Sequence, residues 1–184
     1  MRTTALLTAA DFARVAEVLG PCELVKGEIV PMSPGGMEHS QVIGRAYFLV
    51  ETFNRVHQLG RVLTGEAGVV VAKHPDTVRG ADVAFVSYVR LPRALESQTG
   101  FLEVPPELVI EVLSRDTSWE KIEEKVADYH RFGVDLVWVL DPQTLSLRAY
   151  PRDHKPQIFK DTETVSAAPH LPGFSCVVRA FFRD

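Results

Sequence analysis

Cysteine is nearly absent: the 184 residues contain only Cys22 and Cys176. They form no CxxC pair and no Cys/His cluster, so a structural zinc site has no ligands here, and the sparse thiols suit a reducing compartment. Long hydrophobic runs are missing as well. Nothing approaches the ~20 consecutive apolar residues of a membrane span. The apolar stretch Ala5-Leu6-Leu7 is too short for a secretory signal, and Asp11 and Arg14 soon follow it. The expectation is a soluble, cytoplasmic protein with no membrane partner. Positive charge is not in excess either. The net charge is −4, so any nucleic-acid contact has to come from a local basic patch or a metal. No GxxxxGK[ST] and no strand-linked GxGxxG occurs, which removes the usual signals of nucleotide binding. Ser33-Pro34-Gly35-Gly36 is a loop and not a nucleophile elbow.

What is present is a chain 46% hydrophobic and 24% charged, which fits one domain over residues 1–184 with a substantial core. Thr8 with Asp11 three residues later reads as a capping box for a helix that stops at Gly20-Pro21. Lys26-Gly27 between Glu23-Leu24-Val25 and Glu28-Ile29-Val30 is a two-residue hairpin signal. Apolar steps of four and three through Val42, Ala46, Leu49, Phe53 and Val56 predict a helix over residues 40–57, ended by Gly60. Strands are expected at 61–63, 67–72 and 82–87, with a turn at His74-Pro75-Asp76. Residues 88–104 form a long polar connection of the kind that is often functional. Residues 107–113 are almost wholly apolar, as in a central strand covered on both faces. Asp116, Thr117 and Ser118 can cap a helix running to Phe132, with Gly133 as its C-terminal stop. A second apolar strand follows at 134–140. Strand, helix and strand make a βαβ unit, with the two strands parallel and the crossover right-handed. Weaker edge strands are expected at 145–150 and 157–160. The fold class is α/β: a mixed sheet flanked by helices, with an N-terminal helix and hairpin.

Three charged residues sit where charge is costly. Glu111 lies between Val109 and Leu113 on one face of the central strand. Either it is a strand-end acid reaching water or it is a metal ligand. Asp82 opens its strand after Gly80-Ala81; alone it reads as an aspartate bonded to backbone, and beside Glu111 it reads as a second ligand. At about 100° per residue, Lys125 falls inside the apolar arc of Ile122, Val126, Tyr129 and Phe132. Its stem can snorkel along that arc, or its ammonium can meet a carboxylate or phosphate. Two acids and an ammonium suit a divalent-metal site for phosphodiester hydrolysis. Lys73, Arg79, Arg90, Arg93 and Arg115 are candidates for a basic rim along a phosphate backbone.

In this order, the residues resemble the putative restriction endonuclease family, a branch of the PD-(D/E)xK nuclease superfamily. The resemblance is carried by Glu23-Leu24-Val25-Lys26-Gly27-Glu28, Met32-Ser33-Pro34, His39 and Asp82-Val83-Ala84-Phe85-Val86. It continues through Pro105-Pro106-Glu107-Leu108-Val109-Ile110-Glu111-Val112-Leu113-Ser114, Lys125, Tyr129, Gly133-Val134, Trp138-Val139-Leu140-Asp141-Pro142 and Leu171-Pro172-Gly173-Phe174. It implies a metal-dependent endonuclease acting on DNA. Asp82 and Glu111 would hold Mg²⁺ or Mn²⁺ with the Val112 carbonyl as a further ligand, and Lys125 would act on the attacking water. It also implies accessory places in the site for Glu28 and His39. Two departures stand out: Ala81 replaces the superfamily's proline, and Leu113 replaces its lysine, so that role would move to Lys125. The rival reading is a catalytically silent binding or assembly module on the same fold. A homodimer would suit cleavage of both strands of a duplex.

Overall fold

The structure, a computed structural model, describes residues 6–95, 100–114 and 117–183. Helix α1 (Ala9–Leu19) starts at the expected capping box, with Thr8 and Asp11 bonding each other's backbone N–H. A hairpin of β1 (Cys22–Val25) and β2 (Glu28–Pro31) turns on Lys26 and Gly27, whose φ angles are +51° and +80°. Both central residues lie in the left-handed region, as a type I′ turn requires. Then come α2 (Met37–His57), β3 (Gly60–Ala72) and β4 (Thr77–Ser87). After a connection containing a short 3₁₀ turn at Arg93–Leu95 come β5 (Leu108–Val112), α3 (Trp119–Phe132) and β6 (Leu136–Asp141). The chain closes with β7 (Ser146–Pro151), β8 (Gln157–Lys160), β9 (Thr164–Ser166), β10 (Ser175–Val177) and a 3₁₀ turn at Val178–Phe181.

Eight strands make one mixed sheet in the order β2-β1-β4-β5-β6-β7-β8, with β3 pairing β4. Only β5 and β6 run parallel. This is the pair joined through α3, as the βαβ reading expected. One face of the sheet packs Val83, Phe85, Ile110 and Trp138 against Val42, Ala46 and Val50 of α2, with Phe174 and Phe181 from the C-terminal segment. The opposite face packs Ala84, Val109, Val137 and Val139 against Ile122, Val126 and Tyr129 of α3. All five residues of β5 are buried, as expected of a strand covered on both sides.

Several boundaries differ from the sequence reading. Residues 61–72 are not two strands but a single β3, whose register with β4 shifts between Thr64 and Ala67. Strand β4 begins at Thr77, so Asp82 sits mid-strand. Helix α2 starts earlier and is capped by Gln58 in the left-handed conformation, while Gly60 opens β3. Of the two expected edge strands, β7 is internal, between β6 and β8, and β8 is an edge. Ser118 caps α3; Asp116, like residues 96–99 of the long connection, lies outside the described residues. Cys22 and Cys176 are both free thiols. Among the described residues, no helix is long and apolar enough to cross a membrane.

A fork in the sheet positions the site. On one edge β4 pairs β3 along most of its length. On the other edge it pairs β1 only at Val78 and β5 only from Val83 to Phe85. Between Val78 and Val83 the partner strand changes, and the backbone there must bond to something other than a strand.

The core makes a direct prediction. Trp138 is fully buried and packs against Phe174 and Phe181. Trp138→Ala should lower unfolding stability by about 3–5 kcal/mol, measured by urea denaturation. A loss below about 1 kcal/mol would be too small for a large buried ring and would contradict this packing.

Candidate active site

The gap between β1 and β5 is filled by side chains. Gly80 N–H donates to Glu23 Oε1 at 3.0 Å, and Gly80 C=O accepts from Lys125 Nζ at 2.9 Å. Val112 N–H donates to Asp82 Oδ2 at 2.7 Å. Acidic and basic side chains thus complete the ladder where no strand is available.

Lys125 lies at the centre. Its Nζ reaches Glu111 Oε2 at 2.7 Å and Glu23 Oε1 at 3.2 Å, in addition to the Gly80 carbonyl. An ammonium has three protons to donate, and here three acceptors surround it. Helix geometry explains the approach: Lys125 shares the sheet-facing stripe of α3 with the buried Ile122, Val126 and Tyr129. The snorkelling alternative does not hold, because only 14% of the Lys125 side chain is exposed and its tip meets carboxylates. Burial disfavours its charged form, but Glu111, Glu23 and Asp82 outweigh that and hold its pKa well above the ordinary lysine value. Lys125 is therefore held as a cation within this cluster.

Glu111 accepts a second hydrogen bond, from Tyr129 Oη to Oε1 at 2.8 Å. Continuing the register beyond Val83 and Ile110 sets Asp82 against Glu111 on adjacent strands and on the α3 face. The Asp82 carboxyl is pushed well above the usual carboxylate range by burial, then by the Glu111 charge, with Lys125 opposing. Glu111 is raised by burial against the pull of Lys125 and Tyr129. His39, in the first turn of α2, places Nε2 3.9 Å from Asp82 Oδ1, and its Nδ1 is buried without a partner.

The structure therefore gathers Asp82, Glu111, Lys125 and His39, and Val112 meets Asp82 through its N–H. Glu28 has no contact with this cluster among the hydrogen bonds and ion pairs of the described residues: it lies exposed on the wholly exposed β2. The acid that β1 and β2 deliver is Glu23, buried three residues before Lys26 of the turn. Burial works against Glu23, but Lys125 and Arg79 bring its pKa below the usual value. The basic rim is also corrected. Arg79 is buried and bonded to Glu23 and Asp128. Arg90 pairs with Glu107 and Asp135, and Lys73 with Glu103. Arg93 stacks on Tyr88, and Arg115 lies outside the described residues. Each of the four described cations is thus engaged by partners within the protein.

Glu66 was not foreseen. It stands on β3 opposite Asp82, where a proton on the Asp82 carboxyl would favour the Glu66 anion. Its pKa is raised by desolvation, with Lys125 opposing. The cluster thus holds four acids, Glu23, Glu66, Asp82 and Glu111, against two buried cations, Arg79 and Lys125. Among the described residues, no three His, Cys, Asp or Glu side chains stand ready-made as a metal-binding group. The donor chemistry nonetheless suits a hard divalent cation: carboxylate oxygens in anionic excess, crowded enough to retain protons.

The pKa directions fix how stability depends on pH. Asp82 is raised, so its contribution to stability is full below its ordinary value of 3.8 and is lost as pH rises through the raised pKa. Glu23 is lowered, so its contribution is present above 4.5 and is lost as pH falls through its folded-state pKa. Thermal unfolding in EDTA should show Asp82→Asn weakening the alkaline-side loss while leaving the acid-side loss. An unchanged alkaline slope would contradict the burial of that carboxyl. Lys125→Met strands two buried acids and should destabilise by about 3–5 kcal/mol. Adding Glu111→Gln should recover part of that loss in the same assay.

A family model described as Uma2, putative restriction endonuclease, matches residues 9–179. Among solved structures, the chain is similar to a putative nuclease belonging to DUF820 from Anabaena variabilis. The TM-score is 0.82 at 18% identity, over 96% of this chain and 97% of that one. At that identity the likeness speaks for the fold. No curated protein matches the chain. A mostly antiparallel α/β sheet flanked by helices, acids and a lysine meeting at its fork, and a family match over most of the sequence lead to one assignment: the chain belongs to the Uma2 family of putative restriction endonucleases.

Proposed function

We propose that this protein is a divalent-metal-dependent endonuclease that hydrolyses DNA phosphodiester bonds, with Mg²⁺ or Mn²⁺ held by Asp82 and Glu111. The observation that carries the reading is the meeting of these two acids on one face of the sheet, with the buried Lys125 ammonium 2.7 Å from Glu111. The raised pKa of Asp82 supports it, because crowded carboxylates that hold protons without metal form a ready site for a cation. The Val112 carbonyl is the further ligand that the resemblance suggests.

The metal would supply Lewis acidity at the phosphate and a more acidic bound water. The chain's own residues do the rest. Tyr129 and Lys125 orient the Glu111 carboxylate through one oxygen each. The Val112 N–H orients Asp82. Lys125, held charged, offsets negative charge that develops on the phosphate instead of serving as a base. His39, with Nε2 3.9 Å from Asp82 Oδ1, would be the accessory residue beside the metal-binding acids.

One observation favours a second reading, a silent module on the same fold. All the donors of Lys125 are already directed at protein acceptors. Plasmid nicking with Mg²⁺ or Mn²⁺ separates the two. Wild type should cut, and Glu111→Gln should lower the rate by about 100-fold or more, as loss of one key electrostatic group does. Absence of nicking by wild type with either ion, together with no heat of metal binding, would establish the silent reading.

A further inference from the structure

We propose that the cavity beside Trp138 binds a small planar acid, a flat ring with a hydrogen-bond acceptor on its edge and one anionic group. The site is separate from the acids at the fork of the sheet. Trp138 belongs to the face covered by α2 and the C-terminal segment, whereas the fork acids stand on the face covered by α3.

Leu136 and Trp138 of β6, Ala149 of β7, Phe159 of β8 and Val165 of β9 wall a cavity of about 370 Å³. Leu136 and Trp138 stand two apart on one strand, and Trp138 pairs Ala149 on the next, so the sheet gives the cavity an apolar floor. The volume is that of a small-molecule site. One polar atom in this wall is left unanswered. Trp138 is wholly buried, and among the described residues no acceptor meets its Nε1–H. An indole N–H can only donate, and buried polar groups ordinarily have a partner because leaving one unpaired is unfavourable. Phe174 and Phe181, which pack on the ring, offer no acceptor from their side chains. That leaves the cavity walled by the ring as the place for one. An oxygen or ring nitrogen on the edge of a ligand would supply it.

The solvent end of the cavity carries cationic donors. Asp135, Arg152 and His170 all line it. Arg152 Nη2 lies 3.1 Å from Asp135 Oδ1, and His170 Nδ1 lies 3.7 Å from Asp135 Oδ2. The Asp135 side chain is 12% exposed and that of Arg152 40%, so the carboxylate is an inner post that holds the guanidinium toward solvent. A guanidinium has five N–H donors and takes carboxylate or phosphate oxygens in pairs. Asp153, the other acid beside Arg152, is largely exposed and 4.0 Å away, so it offsets that charge only weakly. An apolar floor, one buried donor and a cationic mouth together favour a flat, acceptor-bearing anion over a neutral or cationic ligand. A nucleoside monophosphate and a heteroaromatic carboxylate share this chemistry.

The test is nuclear magnetic resonance of the full chain labelled with ¹⁵N. The chain has two tryptophans, and Trp138→Phe identifies the Trp138 indole signal by removing it. The probes are orotate, thymidine 5′-monophosphate, uracil and inorganic phosphate, titrated to millimolar concentration. Orotate or thymidine monophosphate should move the Trp138 indole proton downfield in a saturable way, and which of the two binds tighter tells a carboxylate from a phosphate at the mouth. Uracil, without the anion, and phosphate, without the ring, should bind about tenfold more weakly or worse. By calorimetry, Arg152→Gln should weaken the tighter acid about tenfold, and Trp138→Phe, which keeps the ring and removes the N–H, several-fold. Near-UV circular dichroism checks the fold, and the exposed Arg152 variant keeps the set informative if Trp138→Phe folds poorly. The proposal is overturned if neither acid shifts the Trp138 signal, if uracil binds as tightly as orotate, or if Arg152→Gln binds the acids like wild type. A cross-peak from the indole proton to a bound water that the acids leave in place would overturn it as well.

Discussion

The fold depends on an ammonium placed where a sheet runs out of strands. Strand β4 changes partner from β1 to β5, and the gap would leave buried backbone groups unpaired. Lys125 and Glu23 close it by bonding the carbonyl and amide of Gly80. From there the polar contacts extend in a line: Asp128 to Arg79, Arg79 to Glu23, Glu23 to Lys125, Lys125 to Glu111, and Glu111 to the Tyr129 hydroxyl. Each buried charge in this line is tolerated because the next one compensates it. The arrangement is a polar seam through an apolar sheet, and the same atoms that complete the ladder make up the candidate site.

Much of this was legible in the sequence because local rules apply to it. Thr8 with Asp11, Lys26-Gly27 and Gly133 end or start elements by local chemistry, and each does so in the structure. The angular position of Lys125 on α3 followed from helix geometry alone. Asp82 and Glu111 stood out because an acid in an apolar run needs a partner. What escaped notice depends on pairings between distant segments. Glu23 and Glu28 flank the same turn, and only the docking of Leu24 against Val78 decides which acid is buried. Glu66 could have been suspected from a glycine interrupting a β-rich run, the sequence mark of a bulge. The arginines proposed as a rim looked alike in sequence. Their individual acidic partners, such as Asp128 for Arg79 and Asp135 for Arg90, come from elements far along the chain.

The protonation pattern separates the roles of the cluster. Lys125 is held charged chiefly by Glu111 and Glu23, whereas burial and the Glu111 charge disfavour the anion of Asp82. The lysine is a structural cation, and the aspartate is the acid whose charge its surroundings oppose most strongly. Departure from the superfamily pattern at Leu113 fits this division. A lysine two residues after Glu111 would come from the strand, whereas here it comes from the helix, which lets one side chain serve both the fork and the acids.

The fork also changes what an intact set of charged residues says about any member of this fold. Glu23, Arg79 and Lys125 hold the sheet together, so a chain that has lost all catalysis would still be selected to keep them. Their presence is evidence of folding, not of turnover.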